Sequence, residues 1–144
     1  MKRTDVKSNC PVNFTLEAVG DPWSLLILRD IMYWGKHTFK EFLASEERIT
    51  TSVLTDRLLS LEKQGILTKR PYPDDKRRDM YVFTEKGLGL VPIILDMMEW
   101  GTKHDPKSMG HRRKAFVSRI RKERGQLNSE VQNKLRQGGT AFSE

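Results

Sequence analysis

The chain has 144 residues with 26 Lys and Arg, 19 Asp and Glu, a formal net charge of +7 and one cysteine. That length suits one core of about 100 residues with an appendage, and a lone cysteine excludes an intrachain disulfide. No apolar leader and no apolar run of membrane-spanning length is visible, so secretion and a membrane span are not indicated and the cytoplasm is the expected compartment.

The charge is unevenly placed. Residues 1–106 hold 16 basic and 16 acidic side chains, whereas residues 107–144 hold ten basic and three acidic ones. Bulk pI therefore says little about the core, where a polyanion would have to be met by local clusters. The division expected is an N-terminal arm at 1–13, a core domain at 14–106 and a basic helical extension at 107–144.

In chain order, Asp21-Pro22-Trp23 reads as a helix start, with Asp as cap and Pro at the first helical position. The following helix to Trp34 is apolar nearly all round, which makes Trp23, Leu26, Ile27 and Ile31 core residues. After Gly35-Lys36-His37, Thr38 caps a short helix through Leu43. The stretch Ile49 to Gln64 begins with hydroxyl residues and stops at Gly65. Leu54, Leu58 and Leu61 form an apolar stripe, and Thr51, Ser52, Thr55 and Asp56 cluster on another side near the N-terminus. A helix entering the major groove needs that division, although a capped surface helix shows it too.

Leu67 to Tyr72 and Met80 to Thr84 read as two strands around a charged tip, residues 73–79, that contains Lys76, Arg77 and Arg78. Helix, turn, helix and hairpin in that order make a winged helix-turn-helix, mainly α with a small β-hairpin. The tip would follow the backbone or enter the minor groove. The flanking Asp74, Asp75 and Asp79 leave a solvated turn as the alternative.

From Thr84 onward a helix carries Leu88, Val91, Leu95 and Met98 on one stripe and Leu90, Ile94 and Met97 on another, with Pro92 bending it or starting a new segment. Two stripes suggest two partners, its own core and a symmetry mate. Lys107 to Gln137 reads as one more helix, added to the winged fold. It has a narrow stripe of Phe116, Ile120, Leu127, Val131 and Leu135 among many basic residues. Gly138-Gly139 ends it, and 140–144 are expected to be disordered.

Taken together, Cys10-Pro11, Trp23 to Asp30, Thr38 to Phe42, Leu54 to Leu58 with Leu61-Glu62, Gly65 to Leu67, Tyr81 to Gly87, Leu90-Val91-Pro92 and Trp100-Gly101 resemble the HxlR family of bacterial and archaeal winged-helix transcriptional regulators. This family is related to the MarR-type regulators. The match covers roughly residues 10–104 in order and spacing. The chain departs from the family at Leu59, where a basic residue is usual, and in a wing whose Asp75-Lys76-Arg77 is closer to the MarR type.

The resemblance implies a homodimer on a pseudo-palindromic double-stranded DNA operator, with the segment from Val12 to Val19 as partner of the long helix. The expected dimer contacts are Phe14, Leu16, Leu90, Ile94, Met97 and Trp100. The expected DNA contacts are Thr50, Thr51, Ser52, Thr55 and Asp56 at bases, Lys76, Arg77 and Arg78 in the wing, and Lys36, His37 and Lys40 at phosphate. Arg57 falls toward the apolar stripe and is expected to make an intramolecular ion pair instead.

Cys10 stands where some family members sense oxidants or electrophiles, which would make a redox or small-molecule effector a partner. A buried or idle thiol is the competing reading. No phosphate loop, zinc spacing or nucleophile-base pair is present, so neither catalysis, metal nor cofactor is expected. Two rivals remain: a sequence-indifferent nucleic-acid architectural protein using the basic tail, and a winged-helix module that binds protein. A membrane-surface role for the basic helix ranks last, because its apolar stripe is sparse.

Overall fold

The computed structural model describes residues 7–143. Its elements are α1 (Pro11–Val19), α2 (Ser24–Trp34), α3 (Phe39–Leu43), α4 (Thr51–Lys63), β1 (Leu67–Tyr72), β2 (Asp75–Phe83), α5 (Glu85–Leu88), α6 (Val91–His104), a 3-10 turn (Met109–Arg112), α7 (Lys114–Lys122) and α8 (Arg124–Arg136). This is a winged helix with a helical addition, as expected.

Local chemistry explains the boundaries. The Asp21 carboxylate accepts from the amides of Trp23 (3.0 Å) and Ser24 (2.9 Å), so it caps α2, although the helix proper begins at Ser24. Gly35, at φ +66°, closes α2 with its N–H on Ile31 O and the next N–H on Asp30 O, the αL exit that glycine adopts at no cost. The same device recurs after α4, where Gly65 has φ +73° and the Ile66 N–H reaches Leu61 O. Pro92 sits in the first turn of α6, and the expected single helix from Thr84 divides there into α5 and α6.

The core joins Leu28 and Ile31 of α2, Phe42 of α3, Leu54, Leu58 and Leu61 of α4, and Leu88, Val91 and Leu95 from the α5–α6 stripe. Trp23 packs against this core half-buried.

Three expectations need correction. The extension is not one helix: the backbone leaves helical geometry at Glu123 (φ −132°, ψ 39°), and α7 and α8 fold back on each other. Its apolar stripe is real but bent inward, with Ile120, Leu127 and Val131 fully buried in the main core. The chain end is ordered as well over 140–143. The Ala141 N–H donates to Met32 O (2.8 Å), and Phe142 stacks on Tyr33 with ring centroids 5.2 Å apart. Residue 144, the rest of that expected disordered stretch, lies outside the described residues.

The hairpin differs too. β1 and β2 are antiparallel around a two-residue Pro73-Asp74 turn, and β2 begins at Asp75 rather than Met80. Pro71 pairs with Asp79 while the next residue, Tyr72, pairs with Asp75, so Lys76, Arg77 and Arg78 bulge out of the ladder. Pro71 has no N–H to give to the ladder, which favours a break there. Thr84 is not strand: its hydroxyl accepts from the Gly87 amide as the cap of α5.

Candidate nucleic-acid interface

The interface begins with the helix-turn-helix. Thr38 and Glu41 form a capping box on α3: the Thr38 hydroxyl accepts from the Glu41 amide, and the Glu41 carboxylate accepts from the Thr38 amide at 3.1 Å. Burial raises the Glu41 pKa, but the hydrogen bonds from His37 and Thr38 outweigh it and hold the carboxyl below its ordinary value. These bonds fix the start of α3, and Phe42 beside them packs into the core with Leu54 and Leu58 of α4.

At the start of α4, Thr50 is the cap, its hydroxyl accepting from the Val53 amide. Thr50, Thr51, Ser52, Thr55 and Asp56 are all exposed, whereas Leu54, Leu58 and Leu61 are buried. The structure thus brings together the polar cluster read from sequence and anchors it by the opposite stripe. Its members differ in what they have left to offer. The Thr55 hydroxyl donates to Thr51 O (2.8 Å) and retains acceptor capacity. Asp56 is paired with Arg57. Arg57 also lies 3.4 Å from Asp21, which is the intramolecular ion pairing expected of it.

The wing presents its bulge to solvent. The Arg77 side chain is 91% exposed, held among the described residues only by Asp75 at 3.1 Å, and the Arg78 guanidinium lies 4.9 Å from the Tyr72 ring centroid. Lys40 of α3 is exposed and lines one cleft together with Arg78 and Tyr81 of β2.

Lys36 and His37 are placed differently from Lys40. Lys36 Nζ donates to Ser45 Oγ (3.0 Å), and Ser45 in turn donates to Asp30. The His37 ring meets Tyr81 O at 2.9 Å, and its own carbonyl accepts from the Tyr81 amide at 2.8 Å. Both residues are half-buried, and each spends one polar contact of its side chain on the fold. Leu59, where the sequence departs from the family's usual basic residue, stands 59% exposed on α4 and brings no charge to that face.

Of the expected dimer residues, Phe14, Leu16, Met97 and Trp100 are exposed, each by more than half. Ile94 is buried in its own chain, which corrects its assignment to a partner-facing stripe, while Leu90 packs half-buried against the same core. The outward row of α6 is Ile93, Met97 and Trp100 instead.

Comparison with known proteins agrees with this geometry. The model of the HxlR-like helix-turn-helix family matches residues 18–109. The chain belongs to the HxlR family. It is 35% identical over 101 residues to the uncharacterized HTH-type transcriptional regulator YdeP of Bacillus subtilis strain 168, covering 70% of this chain and 78% of YdeP. The corresponding protein YybR of the same organism is 39% identical over 95 residues, covering 66% and 75%. Among solved structures, the redox regulator HypR in its oxidized form superposes with a TM-score of 0.57 at 38% identity, covering 66% of this chain and 97% of HypR. This HxlR protein is accordingly a transcriptional regulator with a DNA-binding helix-turn-helix. The family match ends at residue 109, so α7, α8 and the chain end lie outside it.

The Cys10 thiol is exposed and free among the described residues at the cap position of α1, which corrects the buried half of the buried-or-idle reading and leaves an idle thiol as the alternative to a sensor. The backbone amides of Asn13 and Val12 pull its pKa below the ordinary thiol value, as a helix N-terminus does for a thiolate. Lys2 and Arg3, its basic neighbours in sequence, lie outside the described residues.

Proposed function

We propose that this protein is a homodimer that binds a pseudo-palindromic operator, with α4 in the major groove and the β1–β2 wing along the minor groove. The observation that carries the reading is the pairing of an exposed hydroxyl-rich face on a core-anchored helix with a basic bulge on the adjoining hairpin. Thr51, Ser52 and Thr55 suit base edges, and Arg77 suits the negative potential of a narrow minor groove. Lys40 with Arg78 is the phosphate contact the shared cleft supports best. The outward faces of α1 and α6 supply the self-complementary apolar surface that a C2 dimer needs.

The architectural alternative is weakened by where the tail's charge goes. Arg119 pairs with Glu123 and Glu130, Arg121 with Glu99, Arg124 with Asp96, and Arg136 with Glu85. Much of the extension's positive charge is matched within the chain, leaving less for a polyanion.

The deciding experiment is fluorescence anisotropy of the purified protein on its own upstream DNA and on scrambled DNA across a salt series. A preference of about a thousandfold or more at physiological salt supports the operator reading. Equal, steeply salt-dependent binding to every DNA, with candidate operators among them, rejects it. A redox input at Cys10 belongs to the same reading. It is supported by the exposed, acidified thiol, and it is rejected if Cys10→Ser leaves operator affinity and its response to diamide or quinone unchanged.

A further inference from the structure

Between α2, α6 and the start of the extension lies an open cavity of about 990 Å³, within the size range of small-molecule sites. Leu25, Ile94 and Met98 give it apolar walls, and Tyr33, Trp34 and Phe142 give it aromatic ones. Phe142 is there because the chain end returns to α2 through the Ala141–Met32 hydrogen bond, and its ring also meets Phe116 edge-on at 5.0 Å. The Tyr33 hydroxyl beside this aromatic cluster is buried with no hydrogen-bond partner among the described residues.

Charge at the mouth selects the ligand. Among the lining residues Arg29 binds both Asp30 and Glu47, so those carboxylates are matched, and Glu46 is exposed. Arg112 and Arg113 line the cavity as well. Unlike Arg119, Arg121, Arg124 and Arg136, neither has a carboxylate partner among the described residues, and the Arg113 guanidinium lies 3.9 Å from the Phe142 ring centroid. Two unmatched guanidinium groups beside an aromatic, methionine-lined hollow suit a flat apolar body with an acidic end.

We propose that this cavity binds an aromatic organic anion, its ring between Phe142, Trp34 and Met98 and its acidic group on Arg112 and Arg113. These two arginines and Phe142 lie beyond residue 109, outside the family match, so the extension supplies the cationic end and one aromatic wall of a cavity whose other walls lie within that match. A ligand there touches α2, which packs on α4, and α6, which carries the outward dimer row. Any effect on operator affinity rests on the DNA reading above; binding itself does not.

The test is titration of the full chain with 8-anilinonaphthalene-1-sulfonate, followed by displacement with 1-naphthoate and with neutral 1-naphthalenemethanol, all without DNA. The expected result is one saturable site per chain from which naphthoate displaces the probe, with the alcohol weaker by about tenfold or more. The double variant Arg112→Gln/Arg113→Gln should weaken naphthoate by about tenfold or more, because both guanidinium contacts are lost while the melting curve is unchanged. Leu25→Trp or Met98→Trp, whichever melts cooperatively, should remove the site by filling it. The proposal is overturned if the probe does not bind, if acid and alcohol compete equally, or if the arginine variant binds as tightly as wild type. It is equally overturned if the probe binds only monomers separated by dilution, since a second copy would then occupy the groove.

Discussion

Arg57 of α4 reaches 3.4 Å to the Asp21 carboxylate, the same group that caps α2, so one ion pair ties α4 to the entry of α2. Both side chains are about a fifth exposed, and the pair itself contributes at most about 1 kcal/mol. The cap adds to it. Asp21→Ala should therefore cost about 1–2 kcal/mol, more than Arg57→Ala, in urea unfolding at neutral pH.

The pH dependence of that difference has a definite sign. Burial pushes the Asp21 carboxyl up, but the Ser24 hydroxyl, the Trp23 and Ser24 amides and the Arg57 charge outweigh burial and leave its pKa lowered. A depressed folded-state value gives stability that is complete above the unfolded value of about 4 and is lost as pH falls through the folded value. The melting-temperature gap between wild type and Asp21→Ala should be constant near neutrality and should narrow below about pH 4. A gap that widened on acidification would contradict the assignment.

Among the described residues Arg77 is held only by its neighbour Asp75, a contact local to the hairpin. Arg77→Ala should leave thermal stability unchanged, weaken operator binding, and reduce the salt slope of binding by about one. An unchanged slope in the anisotropy series would take the wing off the DNA.

The extension is structural as well as basic. Leu127 has no exposed surface and packs in the main core, so Leu127→Ala should cost about 2–5 kcal/mol in chemical denaturation. Cutting the chain after Asp105 would remove Ile120, Leu127, Val131 and Ala141 from that core, and the truncated protein should lose cooperative melting rather than merely lose a tail.

Cys10 should alkylate with a pH midpoint below that of an unstructured thiol, because the amides of Asn13 and Val12 stabilise its thiolate. Iodoacetamide rates from pH 6 to about 9.5 measure it. Pro11→Gly/Val12→Gly, which weakens the helix start, should move the midpoint upward, and an unmoved midpoint would detach the effect from α1.

Much of this protein was legible along the chain. The stripe of Leu54, Leu58 and Leu61 and the cap at Thr50 are local signals with helical period, and they placed α4 correctly. Gly35 and Gly65 marked real exits, Pro92 a real division, and Arg57 an ion pair inside the chain. What remained hidden depended on contacts between residues far apart in sequence. Periodicity places Ile94 on a stripe but does not say that its own core covers it. A basic run does not reveal that Arg121, Arg124 and Arg136 find Glu99, Asp96 and Glu85 across 22 to 51 residues. The break at Glu123 is announced only by Gly125 two residues on, which a helix also tolerates, and Phe142 follows a Gly-Gly pair that reads as a chain end. Helix, cap and stop are decided within a few residues by hydrogen bonds and side-chain spacing. The fate of the tail, and with it the cavity, was decided by burial of distant apolar groups against one another, which only the tertiary structure displays.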